Sequence, residues 1–139
     1  MPSANVDLVR SIVEAWERGD YGSAEWADAN IEFVFADGPS PGRWIGPAAM
    51  AAANRDWLSA WRDLRQEVDE YRELDDQRVL VLHRFSALGR ASGLHTQQIR
   101  ADGAALFGIS QGKAVRLVHY FDRGRALADL DPGAHAAGS

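Results

Sequence analysis

The sequence predicts a small α+β domain, a cone of helices and strands around a pocket, and three observations carry that expectation. Apolar residues recur at helical spacing in the front of the chain, from Leu8 to Trp16 and from Met50 to Trp61. From Gln66 onward the period changes to two, as strands require. Near the end, the strand Val115 to Asp122 sets a lone His119 beside Leu117 and Phe121 on one face, with Val118 and Tyr120 on the other. A polar residue on an apolar sheet face marks a pocket, and the helical half would form its lid.

Each element has its own signal. Asn5 or Ser3 can cap a first helix whose stripe of Leu8, Ile12, Val13 and Trp16 ends near Gly19. Tyr21 to Ala29 reads as a second, short helix. Ile31 to Ala36 alternates and is rich in aromatic and branched side chains, hence a strand. The two prolines and two glycines of Asp37 to Gly42 then make a loop. Gly46-Pro47 opens a third helix that runs through Met50, Ala53, Trp57 and Trp61, with both indoles on one face.

The back half reads as long strands. Val68, Glu70 and Arg72 alternate with Asp69, Tyr71 and Glu73, and Asp75-Asp76 makes a turn. Arg78 to Phe85 is nearly continuous in apolar residues, which predicts a central strand buried on both faces and interrupted by His83 and Arg84 on opposite sides. The next strand starts after Ser92-Gly93 and runs to about Ile109, with Asp102-Gly103 in its middle as a hairpin turn or, fitting better beside an equally long neighbour, a bulge that shifts parity. Gln111-Gly112-Lys113 turns into the last strand, Asp122-Arg123 caps or pairs at the start of a terminal helix, and that helix spans Arg125 to Leu130.

Composition narrows the function. A chain of 139 residues makes one domain, which we place at residues 4–131 with a frayed tail at 132–139; such a domain buries roughly 70% of the surface its unfolded form exposes. Without cysteine there is no disulfide framework, thiol nucleophile or cysteine metal site. The net charge of −5, with arginines interleaved among acids, argues against nucleic-acid binding. Neither a secretion signal nor a membrane span is visible, so a cytoplasmic location is expected. The single lysine, Lys113, sits in a turn where it stays solvated and protonated, unsuited to Schiff-base chemistry.

The order of these elements carries a resemblance. A first helix, Gly19-Asp20, a short helix, an aromatic strand, Ala36-Asp-Gly-Pro-Ser-Pro-Gly42, Gly46 opening a Trp-bearing helix, long strands, and then Gly112-Lys113 and Tyr120-Phe-Asp-Arg123 with Ala126-Leu127 are similar to the SnoaL-like branch of the nuclear-transport-factor-2-like superfamily. The resemblance spans about residues 5–131. It implies a cone-shaped α+β barrel, with a strongly curved mixed sheet wrapped against three helices of the N-terminal half, a pocket between them, and homodimers paired through the sheet face. Members include ketosteroid isomerase, limonene epoxide hydrolase, scytalone dehydratase and polyketide aldol cyclases, which work on apolar ring or polyene substrates. Where ketosteroid isomerase carries its oxyanion pair and its base, this chain aligns Ile12, Ala105 and Phe35, so steroid isomerisation is not implied.

Several side chains are candidates for chemistry. Asp37, at a strand end beside the pocket mouth, is placed for a general base or for a turn whose backbone amides it bonds. His119 shares a face with Phe121 and is either an acid/base group near pH 7 or a core histidine satisfied by its neighbours. His83 and Gln97 lie on adjacent strands, and their faces depend on the bulge. His83, His95 and His119 on three successive strands leave a three-imidazole metal site conceivable, although no carboxylate partner is evident and none is assigned. Trp16, Phe33, Phe35, Trp57, Trp61, Phe85, Phe107 and Phe121 are candidates for the wall of an apolar cavity, or for plain core. Arg84, with Arg116 and Tyr120, is expected on the convex face, and Tyr71, Leu82, Val118 and Tyr120 there are expected to leave enough apolar surface for a homodimer.

The function expected from these residues is a small-molecule enzyme of the isomerase, cyclase, dehydratase or hydrolase type. It would act on an apolar metabolite without cofactor, with His119 as acid/base and Asp37 or His83 orienting it or a water. The alternatives are a non-catalytic protein that binds a hydrophobic small molecule, and a dimeric interaction module with a vestigial pocket.

Overall fold

The computed structural model describes residues 4–18, 25–37, 41–59, 61–89 and 98–130; the side chains of residues 61–63, 89, 98 and 99 lie outside the description. The described elements run α1 (Ala4–Glu17), β1 (Ala27–Phe35), β2 (Gly42–Ile45), α2 (Pro47–Ser59), β3 (Trp61–Asp75), β4 (Arg78–Gly89), β5 (Gln98–Ser110), β6 (Lys113–Tyr120) and α3 (Arg123–Leu130). The six strands form one mixed sheet in the order β2-β1-β6-β5-β4-β3. Only β1 and β6 pair in parallel. The sheet is open, with β2 and β3 as its edges, rather than a closed barrel.

Its curvature has a local cause. Three register shifts interrupt the pairing of β3 with β4, between Arg62 and Arg65, Val68 and Glu70, and Glu73 and Asp75, and each such irregularity bends its strand and raises the twist. The concave side packs on α1 and α2 around Val9, Ile12, Val13, Phe33, Val79 and Phe107. Phe33 and Phe107 are 0% exposed; truncating either to alanine would cost about 3–5 kcal/mol.

On the convex side Leu80, Leu82, Leu106, Val118 and Tyr120 are buried with Ala126 of α3, and Leu130 packs against them. The exposed apolar sheet face expected from the sequence is therefore covered by the chain's own terminal helix. That removes the surface argument for a dimer.

Other expectations change as well. Of the three helices expected in the N-terminal half, α1 and α2 lie there, while α3 follows the sheet. The short helix expected over 21–29 lies partly outside the described residues, and from Ala27 the chain is already β1, which runs in parallel with β6. Asn5 does not cap α1, because it sits within its first turn and donates from Nδ2 to the Asp76 carbonyl at 2.7 Å. Helix α2 stops at Ser59, and Trp61 begins β3 instead of extending the helical face. The four-residue strand β2, which the sequence reading missed, pairs antiparallel with the end of β1. Tyr71 lies on the concave side under Arg10 of α1, whose guanidinium carbon is 5.1 Å from the ring centroid.

The Asp102-Gly103 pair is no bulge. Strand β5 pairs with β4 without a break from Gln98 to Gly108, and the irregularity falls later, between Gly108 and Ile109, on the β6 side. The turn that follows has positive φ at both Gln111 (54°) and Gly112 (76°), the geometry of a two-residue hairpin whose twist matches its strands.

Candidate functional site

The concave face is filled at one end and hollow at the other, and β5 decides which. Its inward positions read Ala101, Gly103, Ala105, Phe107 and Ile109. The two large residues at the end build the core, while the three small ones leave space below α2. There the structure has a narrow cavity of about 30 Å³. A second, smaller recess of about 10 Å³ shares Trp16, Gln66, His83 and His119 with it.

The walls are aromatic. Phe35 stacks on Trp57 at 6.2 Å, Trp57 meets Phe121 at 5.7 Å, and Phe121 meets Phe85 edge to face at 5.2 Å. Such edge-to-face and offset pairs hold rigid apolar surfaces. Polar groups are few: Asn54 of α2, Gln66 of β3, His83 of β4 and His119 of β6. No carboxylate or basic side chain lines the cavity among the described residues.

The register explains why the two imidazoles face inward. His119 follows Leu117 on β6 at strand period, lies opposite Ala105 on β5, and aligns with Phe35 on β1. Its ring is 5.4 Å from that of Phe33, 5.7 Å from Phe35 and 5.8 Å from Trp16, and its side chain makes no hydrogen bond among the described residues. His83 lies opposite Gly103. A Cβ at residue 103 would stand 2.6 Å from the Tyr120 carbonyl oxygen and 3.0 Å from Cε1 of His83, so only glycine seats this ring.

Both imidazoles are neutral at pH 7. Burial, with the nearby Arg123 charge, pushes His83 down to about 4, against smaller opposing effects of the Ala104 backbone and Asp69. Burial, with His83 as neighbour, pushes His119 down to about 3. Burial thus holds both histidines below the range near pH 7 that the sequence suggested for His119. Each ring offers one N–H donor and one bare nitrogen. Nδ1 of His83 is buried and has no hydrogen-bond partner among the described residues.

Two straps hold the floor. Asp37 accepts from the Phe121 N–H at 2.5 Å and the Asp122 N–H at 3.3 Å. It bonds backbone amides, then, those of the residues that follow β6; residues 38–40 of the loop lie outside the described residues. With both oxygens so engaged, Asp37 positions Phe121 and does not line the cavity. Arg123 donates to the His83 carbonyl at 2.8 Å and to Asp69 at 2.7 Å. Asp122 caps α3, as its place before the helix suggested, its Oδ1 accepting from the Gly124 N–H at 2.9 Å.

Of the other residues singled out in the sequence, Trp16, Phe35, Trp57, Phe85 and Phe121 line the cavity. Phe33 and Phe107 do not, being sealed in the core below it. The Trp61 side chain, Gln97 and His95 lie outside the described residues. Sequence reasoning missed Asn54 and Gln66. Gln66 could have been found from the alternation that buries Val68, since residues two apart share a strand face.

The model of the SnoaL-like domain matches residues 9–117. The chain belongs to the SnoaL-like family. Among solved structures it resembles an NTF2-like protein of unknown function from Burkholderia pseudomallei (21% identity, 91% of this chain and 97% of that one, TM-score 0.75). It also resembles a provisionally assigned polyketide cyclase from Xanthomonas campestris (22% identity, 90% and 95%, TM-score 0.69), and TerC co-crystallised with polyporic acid (20% identity, 92% and 98%, TM-score 0.71). At these identities the likeness is one of fold. No curated protein matches the chain.

Proposed function

We propose that the protein is a cofactor-independent enzyme that moves a proton next to the carbonyl of a small, flat, uncharged ring compound, in an isomerisation, cyclisation or dehydration. The observation that carries this reading is the seat of His83. A buried imidazole nitrogen without a partner costs about 1–3 kcal/mol, a cost that a ligand accepting or donating at that nitrogen would offset.

In this reading the N–H of one imidazole donates to the substrate carbonyl oxygen. The bare nitrogen of the other takes the proton from the adjacent carbon, giving an imidazolium beside an enolate. Burial alone opposes that charged ring, but the enolate forms with it as a close pair in a site of low dielectric, which offsets the desolvation. The proton then returns to a different carbon, or to a departing hydroxyl that leaves as water. Asn54 and Gln66 orient the ring, while the aromatic walls select for flatness. The solved relatives assigned to polyketide chemistry, and TerC with its polyporic acid, support a ring-shaped ligand.

The rival reading is a binding protein with the same cavity and no turnover. Solvent-deuterium exchange separates them. The protein should accelerate exchange at the α-carbon of at least one aryl ketone or β-diketone that quenches its tryptophan fluorescence, and His119→Phe should abolish exchange while quenching persists. Quenching without any exchange across a varied panel would establish the binding protein instead.

A further inference from the structure

The convex side of β3, β4 and β5 carries two rows of polar side chains beyond the patch covered by α3. Arg65, Ser86 and Arg100 are direct cross-strand neighbours, and Glu67, Arg84 and Asp102 form the next row. With Phe85 and Ala101 these residues line an open groove of about 450 Å³. Its six polar residues point to the reverse of the aromatic cavity, since Gln66 alternates with Arg65 and Glu67 and lines that cavity, while Phe85 touches both.

Only part of the charge in the groove is spent internally. Arg84 is held by Glu67 at 3.2 Å and by Asp69 at 3.0 Å. Arg65 and Arg100 form no ion pair among the described residues, and the Ser86 hydroxyl makes no hydrogen bond there. In a chain of net charge −5, two uncompensated guanidinium groups flanking a free hydroxyl mark a place built for negative charge. Strands lie about 4.8 Å apart, so the two arginines start about 10 Å from each other and close on the serine from both sides.

We propose that this groove binds a phosphate group. A guanidinium presents a planar fork of donors, and a carboxylate fills only one fork. A tetrahedral dianion offers oxygens to both arginines and to the hydroxyl at once. Glu67 and Asp102, in the adjoining row, repel an extended polyanion and restrict the ligand to a single phosphate, free or on a small monoester.

Calorimetric titration with inorganic phosphate and with glycerol phosphate at low salt tests the assignment. One site per chain is expected, weakening as salt rises. Arg65→Gln or Arg100→Gln should each lower affinity about tenfold, whereas Arg55→Gln on α2, which removes the same charge, should not. Binding of inorganic phosphate identifies the bare anion as sufficient, and binding of glycerol phosphate alone identifies a monoester; both support the site. The proposal is overturned if neither binds saturably, if Arg55→Gln weakens binding equally, or if an acidic peptide binds where neither phosphate does.

Discussion

His83 on β4 rests against the bare α-carbon of Gly103 on β5, its direct cross-strand partner, with no room for a Cβ between them. The pair fixes both the depth of the cavity and the direction of the imidazole, and it yields the first prediction. Gly103→Ala should destabilise the fold by about 1–3 kcal/mol through overpacking and should also displace His83. Denaturant unfolding measures the loss, and reduced tryptophan quenching by an aryl ketone reports the displacement.

His119 has three aromatic rings around it and no side-chain hydrogen bond to break among the described residues. Replacement by phenylalanine extends the cluster of Trp16, Phe33 and Phe35. His119→Phe should therefore change the unfolding free energy by less than about 1 kcal/mol, or raise it, as is common where a residue serves function. Equilibrium unfolding in urea reads this directly.

Acid should unfold the protein through these two residues before its carboxylates contribute. Both imidazoles have folded-state values below the unfolded 6.5, so the unfolded chain binds their protons first as pH falls. Stability is then complete above about pH 6.5 and declines toward pH 4, by about 1.4 kcal/mol per pH unit for each histidine. Unfolding curves between pH 7 and 4 should show this slope, and His119→Phe should reduce it by one proton.

Asp37 is expected to be structural. Asp37→Ala strands the amides of Phe121 and Asp122 and should cost about 1–3 kcal/mol. Asp37→Asn, which keeps one carbonyl oxygen as acceptor, should cost less, as thermal unfolding of the pair would show.

What the sequence revealed was mostly local. The alternation of Leu117, His119 and Phe121, the turn at Gln111-Gly112, and the continuous apolar run of β4 specify their own faces by strand period alone. What it concealed depended on distant partners. Gly103 looked like a bulge because glycine weakens a strand, yet its cause is the Tyr120 carbonyl of the neighbouring strand, with the His83 ring beside it. Ala27 to Ala29 looked helical by composition, and pairing with β6 overrides that preference. Tyr71 was assigned to the wrong face because the irregularities of β3, which no local signal announces, shift parity along it. The site's polar pair was half legible: His119 by its isolation on an apolar face, His83 only once its partner strand was in register.

The central claim is that His83 and His119 are neutral and touch the ligand. Nitrogen-15 NMR of the histidine rings, in free protein and with a quenching aryl ketone bound, tests it most directly. The account predicts two neutral imidazoles at pH 7, free of titration down to about pH 5, with ring-nitrogen shifts that move on ligand addition. Titration of both near pH 6.5, or ring signals unmoved by a ligand that quenches Trp57, would contradict it.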